Sequence, residues 1–348
     1  MHVVAHCRQG FENECAQDLA RIAAAARTRF TPLPLVPALA RGTLEPFDAH
    51  RWRKALRIEP PIFARSIFIA SEELQFGSDR LTPVIAVART LAPKFSAPWL
   101  ETPDTNEGKS LSGLCRRLAP LLEEALVREH LLDPSAPRAP RLHVLFLARE
   151  RGHVGSSDAD VGSPWPMGIP RLRMPHGAPS RSTLKLAEAF ATFLGGEEHE
   201  ALRPGMRAVD LGAAPGGWSW QLAFRGLRVT AVDNGLLRGE VAQDPLVTHV
   251  RVDGFGYRPR RPVDWMVCDI VDKPSRIAAL VADWIARGDT RRCIFNLKLP
   301  MKQRYDHTMR CRDIIADRLV RTNVRYRLAL RQLYHDREEV TGWVERTD

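Results

Sequence analysis

The stretch Val209-Asp-Leu-Gly-Ala-Ala-Pro-Gly-Gly-Trp218 constrains this chain more than any other. An apolar run ends there in a glycine turn, and a helix-like segment, Trp218 to Phe224, begins at once. Gly212, Gly216 and Gly217 carry no Cβ, so the backbone can turn sharply, adopt positive φ and admit a ligand to the main chain. The next apolar run, Leu227 to Val232, ends in Asp233, about twenty residues past the first glycine. An acidic side chain at that second strand tip meets ribose hydroxyls. Together these features predict a nucleotide-type pocket at the edge of a parallel sheet; a plain glycine turn between solvated aspartates is the bland alternative.

The loop reads G-A-A-P-G-G and contains a proline, so it does not match the G-x-G-x-x-G fingerprint that receives a pyrophosphate. Asp210 and Asp233 flank it, and Asp253 and Asp269 end later apolar runs, so four carboxylates are expected at one sheet edge. Such an edge favours a cation. S-adenosylmethionine, with a sulfonium, an amino group and no phosphate, suits it.

Strands are predicted at Arg207–Leu211, Arg228–Val232, His249–Val252, Trp265–Cys268 and Cys293–Leu297, separated by helix-length segments, which argues for a doubly wound parallel sheet. Two further candidates, Arg325–Leu333 and Val340–Val344, are joined by a polar connection and suit an antiparallel hairpin. Ahead of the sheet, Arg181-Ser-Thr-Leu-Lys-Leu-Ala-Glu188 reads as a helix opened by a serine or threonine cap. Residues 1–150 alternate short apolar runs (Val3–Ala5, Ile67–Ala70, Leu142–Leu147) with helix-like segments such as Phe11–Ala26, His50–Ile58, Leu81–Leu91 and Leu111–Glu129. This is a smaller α+β region with no catalytic constellation of its own. Residues 151–180 are rich in glycine, proline and serine and are expected to be a linker.

A chain of 348 residues is long enough for two or three domains. No apolar run approaches the roughly 18 residues of a membrane span, and Met1–Gly10 runs at once into charge, so a cytoplasmic protein is expected. Cys7, Cys15, Cys115, Cys268, Cys293 and Cys311 form no C-x-x-C pair and no histidine spacing that would hold zinc; reduced packing thiols and no metal are expected. The formal charge is +10, and residues 171–348, with thirty basic against twenty-two acidic residues, carry +8 of it. Arginine and lysine crowd from Lys302 to Arg331, a footprint expected of a polyanion partner, with a solvated arginine-rich surface as the bland alternative.

In a doubly wound sheet, ligands sit beyond the carboxyl ends of the strands. Asp269 and Lys298 fall there, and Lys185 and Glu339 can join them, giving two amines and two carboxylates able to handle a proton. Surface salt bridges are the bland reading of such residues. Only 7 of the 51 basic residues are lysines, yet two fall here, and an amine can lose a proton where guanidinium cannot. Burial and the neighbouring Lys185 are expected to depress the pKa of Lys298.

Arg181-Ser-Thr-Leu-Lys-Leu, Asp210-Leu-Gly-Ala-Ala-Pro-Gly-Gly-Trp, Val232-Asp-Asn-Gly, Trp265-Met-Val-Cys-Asp, Phe295-Asn-Leu-Lys-Leu-Pro-Met-Lys and Gln332-Leu-Tyr-His-Asp-Arg-Glu-Glu-Val resemble the bacterial ribosomal RNA methyltransferases that modify ribose 2′-hydroxyls. Cys7-Arg-Gln-Gly-Phe-Glu-Asn-Glu-Cys15 and Asp104-Thr-Asn-Glu-Gly-Lys109 carry the resemblance into the first half.

The resemblance implies a Rossmann-like S-adenosylmethionine-dependent methyltransferase domain at 181–348, its parallel sheet closed by the hairpin. It implies a ferredoxin-like portion at 1–55 and a THUMP-type RNA-binding domain at 56–150. The family's Lys-Asp-Lys-Glu tetrad would fall on Lys185, Asp269, Lys298 and Glu339, with Lys298 accepting the proton. Its cofactor positions would fall on Ser182, Ala214, Pro215, Gly216, Gly217, Asp233, Asp253 and Asp269. The implied substrate is a cytidine of large-subunit (23S) ribosomal RNA and the expected state a monomer. Two other readings remain at this stage: an RNA-binding or assembly protein with a silent methyltransferase fold, and a base methyltransferase. The second lacks a cysteine nucleophile or an Asn/Asp-Pro-Pro-aromatic loop, since Asp269-Ile-Val-Asp272 is neither.

Overall fold

The computed structural model describes residues 1–348, which divide into two compact units, Met1–Pro170 and Arg171–Asp348. In the first, strands β1 (His2–His6), β2 (Arg29–Pro32), β3 (Leu39–Glu45), β4 (Ser66–Ala70), β5 (Leu74–Gln75), β6 (Ala97–Glu101), β7 (Arg141–Ala148) and β8 (Arg151–Ser157) form one sheet. Its order is β2-β3-β1-β4-β8-β7-β6, with β5 on β8. The helices are α1 (Glu12–Ala25), α2 (Ala49–Ile58), α3 (Leu81–Leu91), α4 (Asn106–Ser110) and α5 (Ser112–Arg128). Apolar positions recur at helical spacing on α1, so Cys15, Leu19, Ile22 and Ala23 are buried. Asp48 caps α2 by accepting from Arg51 N at 2.8 Å, and Thr105 caps α4 by accepting from Gly108 N at 2.9 Å.

Two sequence expectations change here. The segment from residue 151 opens as β8 and not as a linker, pairing with β7 from Arg141↔Ser157 to Ala148↔Arg151. The sheet also crosses the expected boundary at 55/56, because β1 pairs antiparallel with β4, His2 opposite Ala70.

A sealed polar cluster lies within this sheet. Glu101, at the end of β6, receives His143 Nδ1 at 2.7 Å, and His6 Nε2 lies 3.5 Å from the same carboxylate. His143 Nε2 lies 2.8 Å from Ser157 Oγ, and the Phe68 ring stacks on His143 at 4.4 Å between centroids. Glu101 and both histidines are at most 1 % exposed. Burial alone would raise the Glu101 pKa, but the two histidines outweigh it and hold the carboxyl well below the usual range.

The second unit contains α6 (Ser182–Phe193), α7 (Glu198–Ala201), β9 (Arg207–Leu211), α8 (Gly217–Phe224), β10 (Arg228–Val232), β11 (Val247–Val250), β12 (Val263–Cys268), α9 (Pro274–Arg287), β13 (Thr290–Lys298), α10 (Arg304–Arg321), β14 (Tyr326–Arg331) and β15 (Glu339–Arg346). Its sheet runs β11-β10-β9-β12-β13-β15-β14, the first five strands parallel and β15 antiparallel to both neighbours. Ala208, Val229, Trp265 and Val267 pack from one face onto Leu186, Phe190, Trp218 and Leu222 of α6 and α8. On α9, Pro274 occupies the first turn and Gly288, at φ 74°, ends the helix in the left-handed conformation. The third strand begins at Val247, two residues before its expected start. Helix α6 has no side-chain cap; Ser182 Oγ bonds Ser180 Oγ at 2.6 Å instead.

Candidate active site

The glycine loop leaves β9 at Leu211 and turns where side chains have no room. Gly212 has φ 78°, and a Cβ there would stand 2.9 Å from the backbone nitrogen of Ile270, the residue after Asp269. Gly216 has φ 116°, with Val241 Cγ1 2.5 Å from where its Cβ would be, and a Cβ on Gly217 would fall 2.4 Å from Ser182 Oγ. Any substitution must push these elements apart. The close fit puts the first turn of α6 directly beside the loop, where Trp218 Nε1 donates to the Ser182 carbonyl at 3.1 Å.

Ala214 N donates to Asp233 Oδ2 at 3.0 Å, and Gly235 N donates to Asp233 Oδ1 at 2.7 Å, so loop and second strand tip are locked together. The Ala214–Pro215 bond is cis, and the Pro215 carbonyl accepts from Arg238 N at 2.9 Å. Asp253 stands in an exposed turn after β11, where its Oδ1 accepts from Phe255 N at 3.1 Å. Of the four carboxylates expected at this edge, Asp233, Asp253 and Asp269 are reached by solvent; Asp210 is not. Asp210 Oδ2 accepts from Ser219 Oγ at 2.7 Å and its Oδ1 has no partner. Burial, opposed by that hydrogen bond and assisted by Asp269 and Asp233, pushes its carboxyl up to about 7.

Beside the loop, Lys185, Asp269, Lys298 and Glu339 form one cluster. Lys298 Nζ donates to Asp269 Oδ1 at 2.7 Å and to Glu339 Oε2 at 2.6 Å. Lys185 Nζ donates to Glu339 Oε1 at 2.6 Å and Oε2 at 2.8 Å, and stands 4.0 Å from Asp269 Oδ2. Each side chain is only 9–23 % exposed. These are therefore not loose surface bridges. Glu339, the first residue of β15, makes these contacts, whereas Glu338 is half exposed and 3.7 Å from Arg304 Nε.

Sequence reasoning expected a depressed Lys298 pKa. The opposite holds: burial does pull it down, but Asp269 and Glu339 outweigh burial and raise it above the ordinary lysine value. The same pairing takes Glu339 below the usual range, burial again being overcome by Lys298 and Lys185.

Four supporting residues were not anticipated. Register pairs Lys298 with Glu339 and Asn296 with Thr341 on β13 and β15, and alternation of side chains puts all four on one face. Asn296 Nδ2 donates to Asp269 Oδ1 at 3.0 Å and Glu339 Oε2 at 3.1 Å; its Oδ1 accepts from Thr341 Oγ1 at 2.8 Å. Thr341 also lies within 2.9 Å of Asp336 Oδ2, which accepts from Leu333 N at 2.9 Å. The buried Glu188, one turn beyond Lys185 on α6, accepts from Tyr334 N and His335 N, both at 2.8 Å. Helix and hairpin thus hold one another and set where Lys185 meets Glu339. The signal in the sequence was the spacing of two, Asn296 to Lys298 and Glu339 to Thr341, on strands that must be neighbours.

Glycine loop, acidic strand tip and paired lysines on a sheet closed by an antiparallel hairpin define a methyltransferase of the FtsJ-like class, and residues 178–282 match the profile of FtsJ-like methyltransferases. Residues 79–158 match the profile of the N-terminal region of ribosomal RNA large subunit methyltransferase M. Proteins of that name are similar over nearly the whole chain. The one from Methylococcus capsulatus is 48% identical, covering 99% of this chain and 97% of its own. Those from Azoarcus sp. and Thauera aminoaromatica are 47% and 46% identical, each covering 98% of this chain and 95% of their own. The chain belongs to the ribosomal RNA large subunit methyltransferase M family.

Proposed function

We propose that this chain methylates large-subunit ribosomal RNA from S-adenosylmethionine, and that the accepting atom is the ribose 2′-oxygen of a cytidine. The observation that carries the reading is Lys298, held between Asp269 and Glu339 beside the glycine loop. The family supports the RNA substrate, through the name its members bear. The loop region suits the donor. Asp233, Asp253 and Asp269 give a cation-favouring rim, Gly217 leaves no side chain against α6 and Gly216 none against Val241, and the unpartnered Asp210 Oδ1 lies beneath. Ser182, Ala214, Pro215, Gly216, Gly217, Asp233, Asp253 and Asp269 would hold it.

The bound donor supplies an electrophilic methyl group on sulfonium sulfur. The new carbon–oxygen bond forms as the methyl carbon–sulfur bond breaks, which leaves a neutral thioether, and the ribose hydroxyl must lose its proton to a neutral Lys298 amine. In the resting site Lys298 is an ammonium, because its two carboxylates favour the charged form. It must therefore release a proton before turnover. Lys185 shares Glu339 and limits the hold of that carboxylate on Lys298, while Asn296 fixes both carboxylates so that the amine has one position. Orientation of this kind contributes much of the rate in bimolecular transfer. The first unit grips the RNA, in the manner of a THUMP-type region, and the enzyme acts as a cytoplasmic monomer.

The test is nuclease digestion and mass spectrometry of ribosomal RNA from cells lacking the gene, treated with the purified protein. The expected product is a cytidine whose added 14 Da, roughly one methylene, stays with the sugar on fragmentation. A methyl on the base, or none, would overturn the reading.

A further inference from the structure

We infer that the methyltransferase unit carries a second RNA contact, a trough on the sheet face over β9, β10 and β11 that takes sugar–phosphate backbone away from the reacting nucleotide. In a doubly wound sheet both faces of parallel strands are normally covered by helices. Here one face packs on α6 and α8. On the other face, the connection from β11 to β12, residues 251–262, contains no helix. The strands beneath are left open, forming a trough of about 840 Å³.

The sequence matches that exposure. Thr230 and Thr248 are register partners on β10 and β11, polar where a covered parallel strand would be apolar. Arg207 and Arg228 are register partners on β9 and β10. With Arg258, Arg260 and Arg261 from the connection, five arginines line the trough, and no aspartate or glutamate does. Arg258 is tied down, donating to the Phe255 and Tyr257 carbonyls and lying 4.0 Å from Asp289. The side chains of Arg207, Arg228, Arg260 and Arg261 are exposed and meet no carboxylate.

The contrast with the basic crowd on α10 is informative. There Arg318 meets Asp283 at 3.0 Å and Arg321 meets Asp317 at 3.6 Å, so local acids offset much of the charge. In the trough only Arg258 has an acidic side-chain partner, Asp289, while Asp264 binds the Arg207 backbone N–H and leaves its guanidinium unpaired. Arg207 and Arg228 stand at the amino ends of their strands, the opposite edge from Asp269 and Lys298. A nucleotide in the tetrad does not reach them, and a longer RNA does. Unpaired guanidinium groups without a reading surface suit phosphate oxygens and give affinity without sequence choice.

The inference concerns a surface apart from the tetrad but rests on RNA being the substrate. The test uses the full chain with Arg207, Arg228, Arg260 and Arg261 all changed to Gln, and a second variant with all four changed to Lys. Binding of a structured large-subunit ribosomal RNA fragment is measured across salt concentrations, beside S-adenosylmethionine binding and thermal unfolding. With Gln, the slope of log affinity against log salt should shrink by about 3, as expected for four lost phosphate contacts. Affinity should fall at least tenfold at low salt. Donor binding and unfolding should be unchanged, and the Lys variant should keep the slope. Equal slopes and affinities in wild type and Gln variant would overturn the inference, including the case in which the trough serves an acidic protein. Failure of wild type itself to methylate or bind the fragment would instead remove the functional reading.

Discussion

The two units each bury a cluster of acids, bases and hydroxyls, and the clusters differ chiefly in where the sheet puts them. In the first unit Glu101, His143 and Ser157 are linked at 2.7 and 2.8 Å, the order of groups a hydrolase uses to activate a serine. Yet the cluster is sealed among β1, β6, β7 and β8, with Phe68 across the imidazole. In the second unit the tetrad stands at the carboxyl edge of parallel strands, partly open and beside a loop without side chains. Hydrogen-bond geometry is common to both. Access is what separates a site from a satisfied core, and in a doubly wound sheet the carboxyl edge supplies it.

The comparison breaks most sharply at Lys298. Lys298→Arg keeps the charge and both carboxylate partners but cannot give a neutral base near pH 7. Single-turnover methylation should fall roughly 10²–10⁴-fold, with donor and RNA binding little changed. Because Lys298 is raised above its ordinary value, the wild-type rate should climb about tenfold per pH unit through the neutral range. A near-normal rate in the arginine enzyme would make the tetrad as structural as the Glu101 cluster.

The reverse expectation holds for Glu101→Gln. Removing a buried charge from its partners should cost about 3–5 kcal/mol in denaturant unfolding, while the rate per folded molecule stays the same. The sign of the pH effect follows from the depressed carboxyl. Its contribution is present above the unfolded value of about 4.3 and is lost as pH falls below it, so the variant's stability should vary less with acid. Loss of turnover without loss of stability would mean that this cluster has chemistry of its own.

Asp210 sharpens the comparison from within the second unit. Its folded carboxyl is raised to about 7, so its proton stabilises the fold below the unfolded value and is given up at a cost as pH rises from there to about 7. Asp210→Asn should therefore raise stability by on the order of 3 kcal/mol at pH 8 and change little at pH 4. Thermal unfolding at the two pH values checks it. The smallest effect should come from Lys302→Arg, four residues past Lys298 and exposed; single-turnover methylation close to wild type is expected.

Much of this was legible in the sequence because the signals were local. The parallel strands read as apolar runs, the glycine loop as a turn, and Asp233 as the acid after the second run. The tetrad became legible through scarce lysines and through resemblance to a family. Strand β8 was hidden by its composition, Arg-Gly-His-Val-Gly-Ser-Ser, which reads as a linker. Two of its glycines are there for packing: a Cβ on Gly152 would meet the Leu145 carbonyl at 2.1 Å, and one on Gly155 the Ile69 carbonyl at 2.3 Å. Asn296 and Thr341 were missed because their partnership depends on strand register, which no single segment encodes. The charge of Lys302–Arg331 was visible, but not that neighbouring acids on α9 and α10 would offset it.

Lys185 and Glu339 are 154 residues apart in the chain, and Lys298 and Glu339 are 41 apart. A ribosome making this protein therefore releases the parts of the site in a fixed order: α6, the glycine loop, Asp269, Lys298, and Glu339 last. The donor-binding half can exist in a nascent chain before its base has a second carboxylate. On the proposed reading, competence arrives only when β15 docks, and an unfinished copy stays silent.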